Sequence, residues 1–244
     1  MTAGWLWFIL LAGAPMGSFM AAFAGRICTG VSLLRPSTCD TCNARIAPYD
    51  LVPILSYALL HGRCRSCGAN LPYRLILAEL AGFGAAMLAV AASHSLPDLL
   101  MLAAILWCLL GLALTDLSCF RLPDTLTLPL FVAAFGLAWA DPARTVTNAA
   151  LSGLLGAAIL YAIRWGYQSL RGQEGLGLGD VKLAAGIGAI VGASALPWVG
   201  LIAAGSALAA VALGLFGPTG RKTALPFGTF LCLGTVFVII AQRV

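Results

Sequence analysis

The sequence predicts an all-α integral membrane protein with about eight transmembrane helices and a small polar insert after the first. Of its 244 residues, 61% are hydrophobic and 9% are charged, whereas about a quarter of the residues in a soluble domain are charged. So few charges exclude a water-soluble globular protein. Disorder is excluded too, because a disordered chain combines low hydrophobicity with high charge. One spanning helix uses about 20 residues, which leaves room for at most about a dozen.

The first apolar stretch covers residues 4–25 and contains no charge. A cleavable signal peptide would carry Lys or Arg ahead of its apolar core, yet the first basic residue is Arg26. We therefore expect residues 1–25 to form a retained first transmembrane helix with its N-terminus outside. A removed signal peptide is the less favoured alternative.

Residues 26–75 form the one long polar segment, and residues 76–244 are apolar with short breaks at Pro, Gly and Asp. This pattern predicts a seven-helix membrane core after the insert, and its Ala- and Gly-rich stretches are typical of helices that pack closely in lipid. The predicted spans are 76–94, 97–115, 125–140, 147–165, 182–196, 198–215 and 227–241.

Basic residues occur on alternate sides of these spans. If the N-terminus is outside, the segments 26–74, 116–124, 164–182 and 216–226 are cytoplasmic and hold twelve of the fourteen Lys and Arg residues. Only Arg144 and Arg243 then remain outside. Because Lys and Arg favour cytoplasmic loops, we expect both termini on the outer face and the polar insert in the cytoplasm.

The insert carries two CxxC pairs, Cys39-Asp-Thr-Cys42 and Cys64-Arg-Ser-Cys67. Two such pairs supply four thiolates for a tetrahedral zinc site, and a reducing cytoplasm disfavours structural disulfides. A small segment gains stability from such a site, and four protein ligands leave no open position for catalysis. Redox disulfides and free thiols are the alternatives. The other cysteines are expected to be small buried residues: Cys28, Cys108, Cys119 and Cys232.

Two of the nine acids have no evident structural duty. Asp116 ends the third apolar stretch, and Asp180 follows three alternating glycines in Gly175-Leu-Gly-Leu-Gly-Asp180. Both are expected at the cytoplasmic edge of the membrane. Two facing carboxylates can share a proton and act as acid and base in peptide hydrolysis. Intramembrane acids also relay protons in transporters, so the residues alone leave protease and transporter open.

The remaining acids have structural interpretations. Asp124 follows Pro123 and is expected to cap the next helix. We favour a structural role for Glu79, near the start of the second span, over a place beside a substrate groove. Asp50 is expected to be solvated, and Asp98 to form an outer turn.

Motifs spread over nearly the whole chain resemble those of the type IV prepilin peptidases, which are GxGD-type membrane aspartic proteases. These are Gly17-Ser18-Phe19, the four-cysteine segment, Tyr73-Arg74 to Glu79-Leu80, Leu122-Pro123-Asp124, Gly177-Leu178-Gly179-Asp180-Val181-Lys182 and Leu225-Pro226-Phe227-Gly228. The chain departs from that family after Phe19, where the usual Asn-containing stretch is absent, and at Asp40-Thr41, where a Pro is common. Neither departure involves the catalytic acids or the cysteines.

The resemblance implies removal of a short basic leader from type IV prepilins or type II secretion pseudopilins, with the cut just before the hydrophobic pilin helix. It assigns catalysis to Asp116 and Asp180 and a structural zinc to Cys39, Cys42, Cys64 and Cys67. It also implies S-adenosylmethionine-dependent methylation of the new N-terminus. The expected location is the bacterial inner membrane, with the active site facing the cytoplasm.

Other expectations concern partners and rivals. Lys182 either tunes Asp180 or anchors the cytoplasmic side, with equal weight. The Arg-rich insert is expected to meet anionic lipid rather than attract a basic leader, and no nucleic-acid partner is expected. A proton-coupled transporter, a non-catalytic assembly factor of a pilus or secretion system and an enzyme that only methylates are the rival functions.

Overall fold

The computed structural model describes residues 3–141, 144–173, 175–215 and 225–243. Within these ranges the chain is helical, and its β-type pairing is confined to two isolated bridges, Thr38 with Arg45 and Arg63 with Asn70. The all-α prediction is thus confirmed. The helices are α1 Ala3–Thr29, α2 Leu55–Leu59, α3 Tyr73–Ala92, α4 Leu96–Cys119, α5 Asp124–Ala140, α6 Val146–Arg171, α7 Leu178–Val191, α8 Leu196–Ala212 and α9 Phe227–Arg243, with short 3-10 helices at Pro48–Leu51 and Ala193–Ala195.

Several helices are suited to a bilayer by length and composition. In the described part of the chain, five are long and apolar enough to cross a membrane: α1, α3, α4, α6 and α8 with its preceding 3-10 turn. The apolar helices α5 and α9 have 17 residues each, and α7 has 14. Fourteen residues span about 21 Å against a hydrocarbon core of about 30 Å. A multi-span protein is therefore confirmed, and the count of eight spans stays a prediction.

Two helix boundaries differ from the predicted spans at the end that carries Asp180. Helix α6 continues to Arg171 rather than stopping at residue 165, and α7 begins at Leu178 rather than at residue 182. The hydropathy pattern ends where polar residues begin, whereas a helix can continue past the apolar region into its polar surroundings. The predicted cytoplasmic residues Arg221 and Lys222 lie outside the described residues.

Helix α4 lies at the centre of the bundle and packs against α1, α3, α5 and α9. Its side chains supply much of the most deeply buried core, namely Leu99, Leu102, Ile105, Leu109 and Leu112. Asp116 lies one turn beyond this apolar column on the same helix. The helix with the most deeply buried side chains therefore carries Asp116, one of the two acids that the sequence identifies as catalytic candidates.

Helices α1 and α3 meet at their backbones through glycines. A Cβ atom on Gly17 would lie 2.1 Å from the carbonyl oxygen of Ala78, and one on Gly82 would lie 2.5 Å from that of Gly13. No larger residue fits at either position without moving the helices apart. Small residues allow such close crossings in membranes, where dispersion contacts and hydrogen bonds replace the hydrophobic effect.

Charged side chains join several elements at the bundle end opposite Asp116. Arg243 donates to both oxygens of Asp98 at 2.9 Å, and these two side chains are each 10% exposed. Asp98 was predicted only to form a turn; in the structure it is also one partner of a buried ion pair. Arg144, at the same end, pairs with Asp141 and donates to the carbonyl of Ile190. Both arginines that the charge distribution left outside are thus engaged by acids.

Candidate functional site

The two CxxC pairs form matching turns. In each, the residue after the second cysteine donates its N–H to the carbonyl of the first: Asn43 to Cys39 and Gly68 to Cys64, both at 2.9 Å. Asn43 and Gly68 adopt φ values of 56° and 71°, a conformation that Asn and Gly tolerate best. The sequence therefore builds the same knuckle twice.

The knuckles bring the four cysteines of the insert together. The Sγ atoms of Cys39, Cys42, Cys64 and Cys67 all lie within 4.8 Å of one another, and those of Cys39 and Cys67 are 3.8 Å apart. A tetrahedral thiolate site with metal–sulfur bonds of about 2.3 Å also separates its sulfurs by about 3.8 Å. Backbone N–H groups of Cys42 and Thr41 lower the pKa of the Cys39 thiol to about 6. The cluster can therefore hold a metal ion.

Glu79 fastens the insert to the membrane helices. Its carboxylate, 8% exposed, accepts hydrogen bonds from the Ser18 hydroxyl at 2.9 Å and from the Ile54 N–H at 2.7 Å. Ile54 has φ 63°, a strained value for a β-branched residue, in a tight turn where Leu55 N–H donates to the carbonyl of Pro53. Glu79 thus has the structural role that the sequence favours, and it stabilises a backbone conformation that costs about 1–3 kcal/mol. The alternative, a place beside a groove, holds as well, because its carboxylate lines a cavity.

A cavity of about 220 Å³ lies between the insert and helices α1 and α3, and Ser18 and Glu79 line it. On its insert side, Arg65 donates to Asp50 at 2.6 Å and lies 5.3 Å from the ring centre of Tyr49. Arg65 lowers the pKa of Asp50. The prediction that Asp50 is solvated is wrong, because its side chain is 9% exposed and paired.

Asp116 is buried, at 4% exposure, and is held by the start of α9. Its Oδ2 accepts the N–H of Thr229 at 2.7 Å and the Thr229 hydroxyl at 3.1 Å. The amides at a helix N-terminus stabilise a carboxylate. The same hydroxyl lies 3.1 Å from the carbonyl of Ala113, one turn before Asp116. Asp116 is thus fixed in orientation across the α4–α9 interface.

Asp180 lies in the first turn of α7, where its Oδ2 accepts the N–H of Gly177 at 3.1 Å. It is therefore a helix residue rather than the end of a loop, and it is only partly buried. Helix α7, which carries Asp180, packs against α9, whose Thr229 donates to Asp116. The structure thus places the two predicted acids at the same end of the bundle, with Asp116 held by two hydrogen bonds from Thr229 and Asp180 more accessible.

Two of the motif glycines, Gly179 and Gly228, pack against Leu122. A Cβ on Gly179 would lie 3.1 Å from Leu122 Cβ, and a Cβ on Gly228 would lie 3.0 Å from Leu122 Cδ1 and 3.1 Å from Asp116 Oδ2. Side chains at these positions would therefore separate α7 and α9 from the α4–α5 connection. The two glycines allow the elements that carry the acids to approach.

Asp124 does not cap helix α5. That helix begins at Asp124 itself, its N-cap position is Pro123, and no side-chain capping bond forms. The carboxylate instead accepts hydrogen bonds from Lys182 Nζ at 2.8 and 3.0 Å. The predicted cap does not form because Asp124 is the first residue of the helix, one position after the N-cap from which a side chain can bond the free amides. Lys182 therefore pairs with Asp124, and no contact supports its tuning of Asp180.

Two of the scattered cysteines are bonded to each other. Cys28, near the end of α1, and Cys119, at the end of α4, form a disulfide with Cα atoms 5.7 Å apart. The bond lies at the end of the bundle that the charge distribution assigns to the cytoplasm, contrary to the expectation that a reducing cytoplasm disfavours structural disulfides. The prediction that both are simply small buried residues is wrong, and no sequence pattern indicated the bond because a separation of 91 residues leaves no local spacing signal. Cys108 and Cys232 are buried, as predicted.

Sequence reasoning missed Thr229 and the role of Ser18. Each contacts its acid over a long sequence separation, 113 residues for Thr229 with Asp116 and 61 for Ser18 with Glu79. A hydroxyl residue in an apolar helix is common, and its acidic partner is set by helix packing. The available signal was their position: Ser18 lies inside Gly17-Ser18-Phe19, and Thr229 directly follows Leu225-Pro226-Phe227-Gly228.

Two family models match the chain. The model described as Bacterial Peptidase A24 N-terminal domain matches residues 11–94, which include the four clustered cysteines and Glu79. The model described as Type IV leader peptidase family matches residues 102–215, which include Asp116 and Asp180. No solved structure matches the chain.

Curated relatives of the chain share the name "Prepilin leader peptidase/N-methyltransferase". The chain is 39% identical over 204 residues to that of Burkholderia pseudomallei, covering 81% of this chain and 64% of the relative. It is 35% identical over 201 residues to that of Aeromonas hydrophila, covering 81% and 68%. It is 34% identical over 212 residues to that of Klebsiella pneumoniae, covering 83% and 92%. The chain thus spans less than two thirds of the Burkholderia relative.

Proposed function

Because the chain belongs to the type IV leader peptidase family, we propose that it is an aspartic endopeptidase acting on prepilins or pseudopilins. It removes their short basic leader at the cytoplasmic face of the bacterial inner membrane. One observation carries the proposal: Asp116 on α4 and Asp180 on α7 lie at the same end of the bundle, where Gly228 beside Asp116 and Gly179 beside Asp180 both pack on Leu122. Two acids so placed have the chemistry of an acid–base pair.

The reaction is hydrolysis of one amide bond. The ionised carboxylate takes a proton from water while the water oxygen bonds to the scissile carbonyl carbon, and the protonated partner donates to the carbonyl oxygen. Collapse of the tetrahedral intermediate breaks the C–N bond: the leaving amine takes the proton that the base removed from water, and the hydroxyl formed from the carbonyl returns its proton to the partner acid. We assign the base to Asp116, because the N–H and hydroxyl of Thr229 stabilise its ionised form.

The test is co-expression with candidate prepilins, followed by measurement of cleavage and N-terminal mass. Asp116→Asn and Asp180→Asn should each abolish cleavage while the protein still inserts in the membrane. Asp124→Asn is the matched control, since its carboxylate belongs to an exposed ion pair with Lys182. A proton-coupled transporter or an assembly factor would show no cleavage with the wild-type chain.

Cys39, Cys42, Cys64 and Cys67 would hold a structural zinc ion. The support is the donor set: four thiol sulfurs at separations that suit tetrahedral zinc, in knuckles shaped by the backbone. Metal analysis of the purified chain should find zinc, and Cys42→Ser should lose it. Cys108→Ser is the control, because this buried thiol lies on α4 outside the cluster.

The name of the relatives includes "N-methyltransferase", which suggests methylation of the new N-terminus. We place the methyl donor in the cavity between the insert and helices α1 and α3. S-adenosylmethionine supplies a methyl group on a sulfonium cation, and the Glu79 carboxylate is an acceptor suited to a cation. At about 220 Å³ the cavity lies below the usual range of about 300–1,000 Å³ and takes part of that ligand.

Cleavage and methylation should separate by mutation. Glu79→Gln keeps a hydrogen-bond acceptor for Ser18 or Ile54 but removes the charge. It should therefore abolish S-adenosylmethionine binding, measured by calorimetry, while leader cleavage continues. Equal binding by the wild-type and Glu79→Gln proteins would exclude this cavity.

The insert has a surface suited to a membrane. Several of its apolar side chains are exposed, namely Leu51, Val52, Leu55 and Leu59, which are 44–68% accessible. With the Arg residues of the insert beside them, they would meet the headgroup region of anionic lipid. The test is Leu59→Cys in the full chain, with the rate of labelling by an aqueous thiol reagent as the measurement. If Leu59 contacts lipid, the substituted cysteine should be labelled slowly.

A further inference from the structure

We propose that an apolar groove between α3, α4 and α9 binds the hydrophobic helix of the substrate, the segment directly after the scissile bond. This inference rests on the proposed peptidase function and goes beyond it. The groove has a volume of about 600 Å³, within the range of about 300–1,000 Å³ typical of ligand sites. The Thr229 hydroxyl and the Cys232 thiol apart, its lining is apolar.

The groove exists because two helices diverge over a third. Helices α3 and α9 each pack on α4 and make only marginal contact with each other. Side chains of α4 form the floor, at Leu106, Leu109, Leu110 and Ala113. The space is therefore a channel along the helix axes rather than an isolated void.

The floor of the groove points at Asp116. From Leu106 through Leu109 and Ala113 to Asp116, the α4 residues follow a spacing of three or four, so they lie on one helix face. Thr229 lines the same end of the groove and donates to Asp116 Oδ2. A helix lying in the groove would thus have its cytoplasmic end beside the carboxylate.

The dimensions suit a helix segment. The α4 residues from 106 to 113 cover about 10 Å and the α3 residues from 81 to 91 about 15 Å, or two to three helical turns. The α3 wall is low because Ala81, Gly84, Ala85 and Ala91 have small or no side chains. Low walls allow an incoming helix to lie close to the α3 backbone.

The occupant follows from this continuity with the acids. A lipid acyl chain also fits the apolar lining, but lipid binding does not require the groove to end at a buried carboxylate. A substrate cut just before an apolar helix needs an apolar surface directly outside the catalytic pair. Holding that helix in place would position the scissile bond, and accurate positioning is a large part of catalytic power.

Gly84 offers a direct test. A Cβ on Gly84 would meet no atom within 4 Å, so the side chain added by Gly84→Leu starts in open space on the groove wall and takes up room in the groove. Gly205, on α8, is equally open, and Gly205→Leu is the matched control. The full chain in lipid nanodiscs is assayed on a prepilin with its whole hydrophobic helix and on a peptide of the same leader and cleavage site that ends in a polar tail.

Gly84→Leu should lower the ratio of kcat/KM for the two substrates, helix-bearing over truncated, at least tenfold, chiefly through KM. Gly205→Leu should leave the ratio within twofold of the wild type. A synthetic peptide of the pilin helix should inhibit the wild-type protein and lose at least tenfold potency against Gly84→Leu. Melting temperatures of both variants check that each is folded.

Three results are distinguishable. An unchanged ratio in folded Gly84→Leu, with cleavage of both substrates, overturns the groove proposal and leaves the peptidase function standing; lipid is then the occupant. Equal loss on both substrates also overturns it, because the groove then affects the acids themselves. Failure of the wild-type chain to cut either substrate overturns the peptidase function instead.

Discussion

The hydroxyl of Thr229 should control the rate of cleavage through the orientation of Asp116. It lies 3.1 Å from Asp116 Oδ2 and 3.1 Å from the carbonyl of Ala113, and one hydroxyl hydrogen cannot serve both acceptors. When Asp116 is ionised, the charged acceptor forms the stronger bond. Thr229→Val removes this bond and keeps the backbone N–H bond of 2.7 Å.

A hydrogen bond to a charged group contributes about 1.5–3 kcal/mol. Because this bond holds the carboxylate in its reactive orientation, its loss reduces the fraction of enzyme in that orientation, so Thr229→Val should lower kcat by up to about 10- to 150-fold. KM should hardly change, because Val fills the same space. Thr229→Ser keeps the hydroxyl and should stay near the wild-type rate.

Thr235→Val is the matched control for this prediction. Thr235 is a fully buried residue of the same helix, and its hydroxyl donates within that helix to the carbonyl of Leu231 at 2.7 Å. Cleavage kinetics on a purified prepilin provide the measurement. A wild-type kcat for Thr229→Val, or an equal loss in Thr235→Val, would refute the role assigned to the Thr229 hydroxyl.

Two further predictions concern stability, measured by thermal or denaturant unfolding in detergent. Gly17→Ala places a methyl group against α3, where a Cβ would lie 2.1 Å from a backbone oxygen, and should lower the free energy of unfolding by about 1–3 kcal/mol. Gly25→Ala in the same helix meets nothing within 4 Å and should leave the free energy of unfolding unchanged. Equal effects of the two substitutions would refute the packing account. Asp98→Asn leaves Arg243 buried without its counter-charge and should cost about 3–5 kcal/mol. Asp124→Asn, whose side chain is 72% exposed, should cost at most about 1 kcal/mol, and a reversed order would contradict the burial argument.

The sequence predicts the helical class and the cysteine cluster because both depend on local information. Long apolar stretches identify helices whatever their neighbours. The spacing in Cys39-Asp-Thr-Cys42 and Cys64-Arg-Ser-Cys67 builds each knuckle from a few consecutive residues. The clustered sulfurs confirm that the two knuckles meet.

The features that the sequence did not predict depend on packing between distant segments. The Cys28–Cys119 disulfide, the Thr229–Asp116 bond and the Asp98–Arg243 pair each join residues more than 90 positions apart. Asp124 illustrates the converse error. The Pro-Asp pattern suggests a cap from local rules, but Lys182 from α7 offers the carboxylate a charged partner.

Cleavage by the single and double variants of the two acids tests the central claim most directly. If Asp116 and Asp180 act as one catalytic unit, Asp116→Asn, Asp180→Asn and the double variant should all reduce prepilin cleavage to the same background rate, with each protein folded and inserted. Losses that multiply in the double variant, or near-normal cleavage by either single variant, would contradict the shared mechanism.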